Sequence, residues 1–374
     1  MLPRTTAIRR KPDFFAMPRR IARFLGVATA AGLAAVLLGG AAAPPARNPL
    51  RPTPAVAALG TVRISGVEYT EARSFFNRYG LKATWLEAGS RLRLESSWTK
   101  VELEANSREA SLNGTRVFLG EPVVARDRSL FVSRIDAEKV FSAILRPAGI
   151  AGAVPALRTI VIDPGHGGID PGKQHAGLKL DEKTVALDTA LRLKKLLERE
   201  GYQVVLTRSD DRHLSTDKAE DLRRRAEVAN EANADLFISL HFNAVPAVDA
   251  PRVQGTETYT FTPQYQRSTA DGTRLAADRV AAPGNRHDAW NAVLGYALHR
   301  QILSGLKTPD RGLKRARFAV LKFVSCPAVL IEAGFLSNDA EAKRIGSAAY
   351  RDDLAAAIAA GIRAYDVQLI AARK

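Results

Sequence analysis

The sequence predicts an α/β fold, a twisted and mostly parallel sheet flanked by helices, preceded by a small β-rich α+β domain. From Leu157 onward short apolar strands alternate with amphipathic helices, whereas between Val62 and Leu145 brief β-like segments follow one another with one helical pattern among them. The run Thr159-Ile160-Val161-Ile162-Asp163 is apolar on both faces, as a strand buried inside a parallel sheet must be.

The 374 residues suffice for two domains, and 46% hydrophobic with 25% charged residues is a globular composition rather than a disordered one. The formal charge of +16 suits an acidic polymer, a membrane surface or nucleic acid, but no nucleic-acid motif stands beside it, so no nucleic-acid partner is expected. Cys326 is the single cysteine, which rules out an intramolecular disulfide and reads as a small buried apolar residue.

Residues 1–43 have the form of a signal peptide: Arg19, Arg20 and Arg23 precede an apolar run from Phe24 to Leu38 and then Gly39-Gly40-Ala41-Ala42-Ala43. They imply export to the periplasm or cell envelope, by the Sec or the twin-arginine route, with the membrane met only during export. Residues 44–60, rich in Pro and Ala, read as a linker. The small β-rich domain is expected over 61–150, with strands at 61–64, 91–94, 101–104 and 117–119 and a helix from Tyr69 to Tyr79. It contains no His and no Cys, so neither a metal site nor a thiol nucleophile is expected there.

In the domain over 157–369, the first strand ends in a Gly-rich turn carrying His166. Glu182 opens a helix whose Ala186, Ala190, Leu193 and Leu197 share one face, and Gly201 ends it. A strand from Tyr202 to Thr207 follows. A second helix, Asp217 to Asn230, places Ala219, Leu222, Ala226 and Ala229 together and leads into strand 236–240, with His241 just after it. Gly255 to Phe261 reads as a strand, Asn291 to Leu303 as a helix, and Val329 to Ile331 as a last strand ending at Glu332. Arg208 reads as structural, distant along the chain from any ligand turn, and Arg223-Arg224-Arg225 as a solvated helix face. Residues 262–290 form an insertion expected to act as a lid or autoinhibitory element, or as a plain surface loop, with His287 placed to approach the metal.

His166, Glu182 and His241 have the residue types of a catalytic zinc site, which takes three protein ligands and leaves a fourth position for a water whose pKa falls to about 7. Each sits where a strand or helix begins or ends, and such positions converge on one rim of an α/β sheet. Bland explanations exist singly. The Gly turn could cradle phosphate, although neither GxGxxG nor a Walker pattern is present; Glu182 could serve only the helix dipole; and His241 alone is more often an ordinary core histidine. Their conjunction favours metal, while the absence of HExxH removes the thermolysin-like architecture.

In order along the chain stand Asp163-Pro164-Gly165-His166-Gly167-Gly168-x-Asp170-Pro171-Gly172, Glu182-Lys183, Thr207-Arg208, Ser239-Leu240-His241-x-Asn243-Ala244 and Ile331-Glu332-Ala333-Gly334-Phe335-Leu336-Ser337-Asn338. With these motifs the region from Leu157 to Leu369 resembles the zinc-dependent N-acetylmuramoyl-L-alanine amidases of the type-3 family. The resemblance implies that His166, Glu182 and His241 hold Zn2+, that Glu332 is the general base, and that the substrate is the amide between N-acetylmuramic acid and L-alanine in peptidoglycan. Asn243 and Arg311 match family positions at the cleft rim, where they are expected to hold muramyl or peptide carboxylates. The sequence leaves open whether an activator protein is a further partner. The 61–150 segment weakly resembles a copper-amine-oxidase-N-like domain through Leu112 to Val117, Pro122 to Val124 and Leu130 to Val132, which implies either a spacer or a wall-binding module. Two other readings stand beside the amidase: a zinc carboxypeptidase or endopeptidase on the stem peptide, and a non-catalytic wall-binding or activator protein. The latter conflicts with the presence of all three ligand candidates and Glu332.

Overall fold

The computed structural model describes residues 60–374; the leader over 1–43 and all but the last residue of the 44–60 linker lie outside the described residues. The β-rich part contains nine strands: β1 (Thr61–Ile64), β2 (Val67–Glu71), β3 (Lys82–Glu87), β4 (Arg91–Glu95), β5 (Lys100–Glu104), β6 (Glu109–Leu112), β7 (Thr115–Phe118), β8 (Val124–Arg126) and β9 (Ser129–Ser133). Strict alternation drives the meander from β3 to β7: Leu92, Leu94, Val101, Leu103, Ala110, Leu112 and Val117 all face one core while charged neighbours face away. The helix expected from Tyr69 to Tyr79 is shorter, Ala72–Asn77. Tyr69, Thr70 and Glu71 are taken up by pairing with β9, and the Glu71 side chain then caps the helix by accepting from the Ser74 N–H.

The second part adds β10 (Thr159–Pro164), the two-residue pair β11 (Gln174–His175) and β12 (Leu180–Asp181), β13 (Gln203–Leu206), β14 (Leu236–Asn243), β15 (Thr256–Phe261), β16 (Asp310–Ala316) and β17 (Ala328–Phe335). β13, β10, β14 and β17 are parallel neighbours in that order, β15 runs antiparallel to β17, and β16 runs parallel to β15. Helix Glu182–Arg199 links β10 to β13 and helix Lys218–Glu231 returns the chain to β14 on the other side of β10. The crevice at such a reversal lies beyond the carboxyl ends of the strands; His166 follows β10 there, and His241 and Glu332 lie opposite each other in the ladder leading to it.

One face of this sheet is covered by helices Glu182–Arg199, Asp288–Leu306 and Ala348–Ala372 through Leu193, Leu197, Leu294, Leu298, Ile358 and Ile362, all fully buried. The opposite face packs under helix Lys218–Glu231 and the turn Ala319–Lys322 through Phe237, Phe261, Leu321 and Leu330. The β-rich part is not set apart from this sheet. β7 lies parallel to β16, with Leu313 opposite Val117, so one eleven-stranded sheet runs from β13 to β3, and Leu313 and Tyr296 belong to the core of the β-rich part.

Several expectations change. His241 lies inside β14, which continues to Asn243 through a register irregularity, and Glu332 is in the middle of β17 rather than at its end. Arg225 is 2% exposed instead of solvated. Residues 262–290 do not cover the His166 crevice: because β15 is antiparallel to β17, the chain leaves Phe261 at the opposite end of the strands. There the segment clasps the β-rich part. Arg108 donates to the Ser268 and Asp271 carbonyls at 2.9 Å each, and Glu121 pairs with Arg267 and Arg274 at 3.0 and 2.8 Å. His287 lies 3.0 Å from the Ser325 carbonyl, ahead of β17, and does not approach the metal-competent cluster.

Candidate metal centre and its surroundings

β10 delivers the chain into a turn that only glycine can build. A Cβ on Gly165 would stand 2.3 Å from His241 Cε1, and one on Gly172, at φ +69°, would meet both Glu182 Oε2 and His166 Cδ2 at 2.6 Å. His166 itself adopts φ +62°, a left-handed conformation costing a non-glycine residue roughly 1–2 kcal/mol. Surrounding bonds impose it: Arg225 donates to the His166 carbonyl at 2.7 Å and Gly167 N–H to the Asp170 carbonyl at 2.9 Å.

This geometry brings together the three residues that sequence reasoning joined. Glu182, 2% exposed at the first position of its helix, has Oε2 3.1 Å from His166 Nε2 and Oε1 2.8 Å from His241 Nδ1. One ligand atom from each lies within 4.8 Å of the others, the sole such His/Cys/Asp/Glu group among the described residues. The Phe242 and Lys173 N–H groups donate to Oε1 and Oε2 at 3.0 and 2.8 Å and fix the carboxylate. Burial acts to raise the Glu182 pKa, but the hydrogen bonds from the two histidines outweigh it and hold the group below the ordinary carboxylate range. Asp170 Oδ2 lies 2.9 Å from His166 Nδ1, so the Asp170 carboxylate would keep the proton on Nδ1 when Nε2 turns to a metal. Lys218 also reaches Asp170. Two imidazoles and one carboxylate with ligand atoms within 4.8 Å of one another fit a zinc ion as a donor set.

Two buried arginines support the turn. Arg208 donates to the Pro164 and Gly165 carbonyls at 3.0 and 2.7 Å and to the Lys183 carbonyl at 2.8 Å, so it is structural, but through direct contact with the ligand turn rather than remoteness from it. Arg225 bridges Asp163 and Asp221 at 2.9 and 2.7 Å. Thr207 and Ser239 hydroxyls complete the shell of Asp163 at 2.6 and 2.7 Å.

Glu332 stands opposite His241 in the β14–β17 ladder, and its buried Oε2 has no hydrogen-bond partner. Burial first, then the charges of Glu182 and Glu257, push its pKa well above the usual carboxylate value. Glu257, which sequence reasoning passed over, is paired with Glu332 across β15 and β17 and is 2% exposed. It accepts from Arg311 Nε at 2.8 Å, Lys314 Nζ at 2.7 Å, Tyr259 OH at 2.8 Å and Asn243 Nδ2 at 3.2 Å. Asn243 and Arg311 thus both lie near the centre, joined through a carboxylate. The missed signal was the alternation Glu257, Tyr259, Phe261, which puts a glutamate on the same face as two aromatic residues.

A family model described as N-acetylmuramoyl-L-alanine amidase matches residues 160–364. An uncharacterised cell wall amidase of Bacillus anthracis is 32% identical over 211 residues, which cover 56% of this chain but only 35% of that relative's length. The germination-specific N-acetylmuramoyl-L-alanine amidase of Bacillus subtilis (strain 168) is 32% identical over 217 residues, covering 56% of this chain and 79% of that protein. Among solved structures, an N-acetylmuramoyl-L-alanine amidase from Clostridium difficile 630 shares 30% identity over 56% of this chain and 97% of that one, with a TM-score of 0.45.

Proposed function

This chain belongs to the N-acetylmuramoyl-L-alanine amidase family, matched over residues 160–364, and from that premise we propose that it is an exported, zinc-dependent hydrolase of the amide between N-acetylmuramic acid and L-alanine in peptidoglycan. The observation that carries the reading is the convergence of His166, Glu182 and His241 beside the unpartnered Glu332 Oε2. Export is supported by the form of residues 1–43 and by the cell-wall activity named for the Bacillus anthracis relative. The partner is the basic chain's acidic polymer, peptidoglycan, with an activator protein as a further candidate partner.

Zinc, held by His166, Glu182 and His241, would supply a water acidic enough to ionise near neutral pH and would polarise the substrate carbonyl. Asp170 orients the His166 ring for this task. Glu332, whose buried Oε2 has no partner, takes the proton of the attacking water and returns it to the departing L-alanine nitrogen. Asn243, which donates to Glu257, steadies the floor of the cleft at the edge of this group.

The test is mass spectrometry of soluble products after the purified protein, with zinc and then with chelator, is incubated with isolated peptidoglycan. Zinc-dependent release of stem peptides bearing a free N-terminal L-alanine is expected, with Glu332→Gln lowering the rate at least about a hundredfold. Cuts inside the peptide, or release that ignores the chelator, would refute the assignment.

A further inference from the structure

Across β17, β15 and β16 the site continues as a row of charged side chains on one sheet face. Glu332 is paired with Glu257, and Glu257 holds both Arg311 and Lys314. The two cations are not equivalent. The Lys314 side chain is 13% exposed, with its ammonium committed to Glu257 at 2.7 Å, whereas the Arg311 side chain is 32% exposed. Among the described residues the Arg311 guanidinium spends only Nε, on Glu257, while its plane lies over the Phe335 ring with Cζ 5.0 Å from the centroid. The terminal nitrogens of a guanidinium clamped through Nε form a fork suited to a second carboxylate.

We infer that Arg311, positioned by Glu257 and Phe335, is the receptor for a carboxylate of the stem peptide, and that it makes the enzyme selective for substrates in which this carboxylate is free. The inference rests on the amidase reading and specifies its substrate. In the intact substrate the muramyl carboxyl is consumed in the scissile amide, so the muramyl option falls away. The first free carboxylate is then the α-carboxylate of the glutamyl residue after L-alanine, which is linked through its γ-carboxyl. Arg311 sits two strands from Glu332, roughly 10 Å at about 4.8 Å per strand. Two extended residues span about 7 Å, and the arginine side chain covers the remainder. Glu257 is a positioning residue in this scheme, because it touches Arg311 and not the peptide.

The experiment compares purified muropeptides whose glutamyl α-carboxylate is free or amidated, with hydrolysis of the muramyl–L-alanine bond as readout. Wild type is expected to favour the free acid in kcat/KM by about tenfold or more, the cost of one lost charge-assisted pair. Arg311→Gln is expected to abolish that preference by raising KM for the free acid. Glu257→Gln is expected to raise KM with a smaller change in kcat, and Glu257→Asp to restore part of it. Calorimetric titration of the released stem peptides gives a second readout that needs no turnover, in which wild type binds the free acid more tightly and Arg311→Gln binds both forms alike. Equal kcat/KM and equal peptide affinity for the two forms in wild type, or a preference that survives Arg311→Gln, would overturn the inference and leave the amidase standing. Failure of wild type to cut the muramyl–L-alanine bond in either substrate overturns the amidase reading and, with it, the selectivity.

Discussion

Single atoms decide whether the cluster can hold a metal. At Gly165 a methyl group would stand 2.3 Å from His241 Cε1, so Gly165→Ala must displace the imidazole. The expected outcome is loss of bound zinc, read by metal analysis of the dialysed protein, with little change in far-UV circular dichroism because the strands on either side stay packed. Asp170 acts at one remove, through His166 Nδ1. Asp170→Asn keeps the size but removes the charge that orients the ring, and zinc affinity measured by competition with a chromophoric chelator is expected to fall by about 10–100-fold.

At the scale of elements, the buried ion network joins β10, helix Lys218–Glu231 and the ligand turn. Burial opposes ionisation of Asp163, but Arg225 with the Thr207 and Ser239 hydroxyls overcomes it and holds the Asp163 pKa below its ordinary value. Arg225→Met strands two buried carboxylates and frees the His166 carbonyl, so urea denaturation at pH 7 is expected to show a loss of about 3–5 kcal/mol. The sign of its pH dependence follows from the depressed folded pKa. Stability contributed by ionised Asp163 is present above its unfolded pKa, near 3.9, and is lost as pH falls through that value toward the folded one. The gap between wild type and variant should therefore narrow below about pH 4. A gap independent of pH would place the effect elsewhere.

For the whole molecule the consequential feature is continuity of the sheet from β13 to β3. Leu313 and Tyr296 are buried against the β-rich part, and Arg108 and Glu121 clasp residues 267–274. Removing the β-rich part would expose these side chains and the edge of β16, a template for aggregation. A single cooperative unfolding transition, seen alike by Trp85 and Trp98 of the β-rich part and Trp290 of the second part, is the expected result. Arg108→Ala should raise hydrogen–deuterium exchange in 267–274 while leaving the β10 and β14 amides protected. Uniform loss of protection would contradict the clasp.

Periodicity, glycine placement and residue chemistry made much of the protein legible in the chain: the buried strand β10, the helix opening at Glu182, the helix capped by Asp217, and the convergence of His166, Glu182 and His241. These are local signals, carried by side-chain spacing over one or two turns and by motifs whose residue types have few other uses. Strand lengths were less legible, because His241 and Glu332 interrupt the apolar runs that mark a strand while ladder pairing carries the backbone past them. β16 was hidden for the same reason, its charged residues being stabilised by Glu257 on another strand. Pairing between distant segments leaves no periodic trace, so the antiparallel turn of β15, the position of residues 262–290 and the buried state of Arg225 came from the fold alone. The sequence names the chemical groups; the direction in which each strand enters the sheet fixes which of them meet.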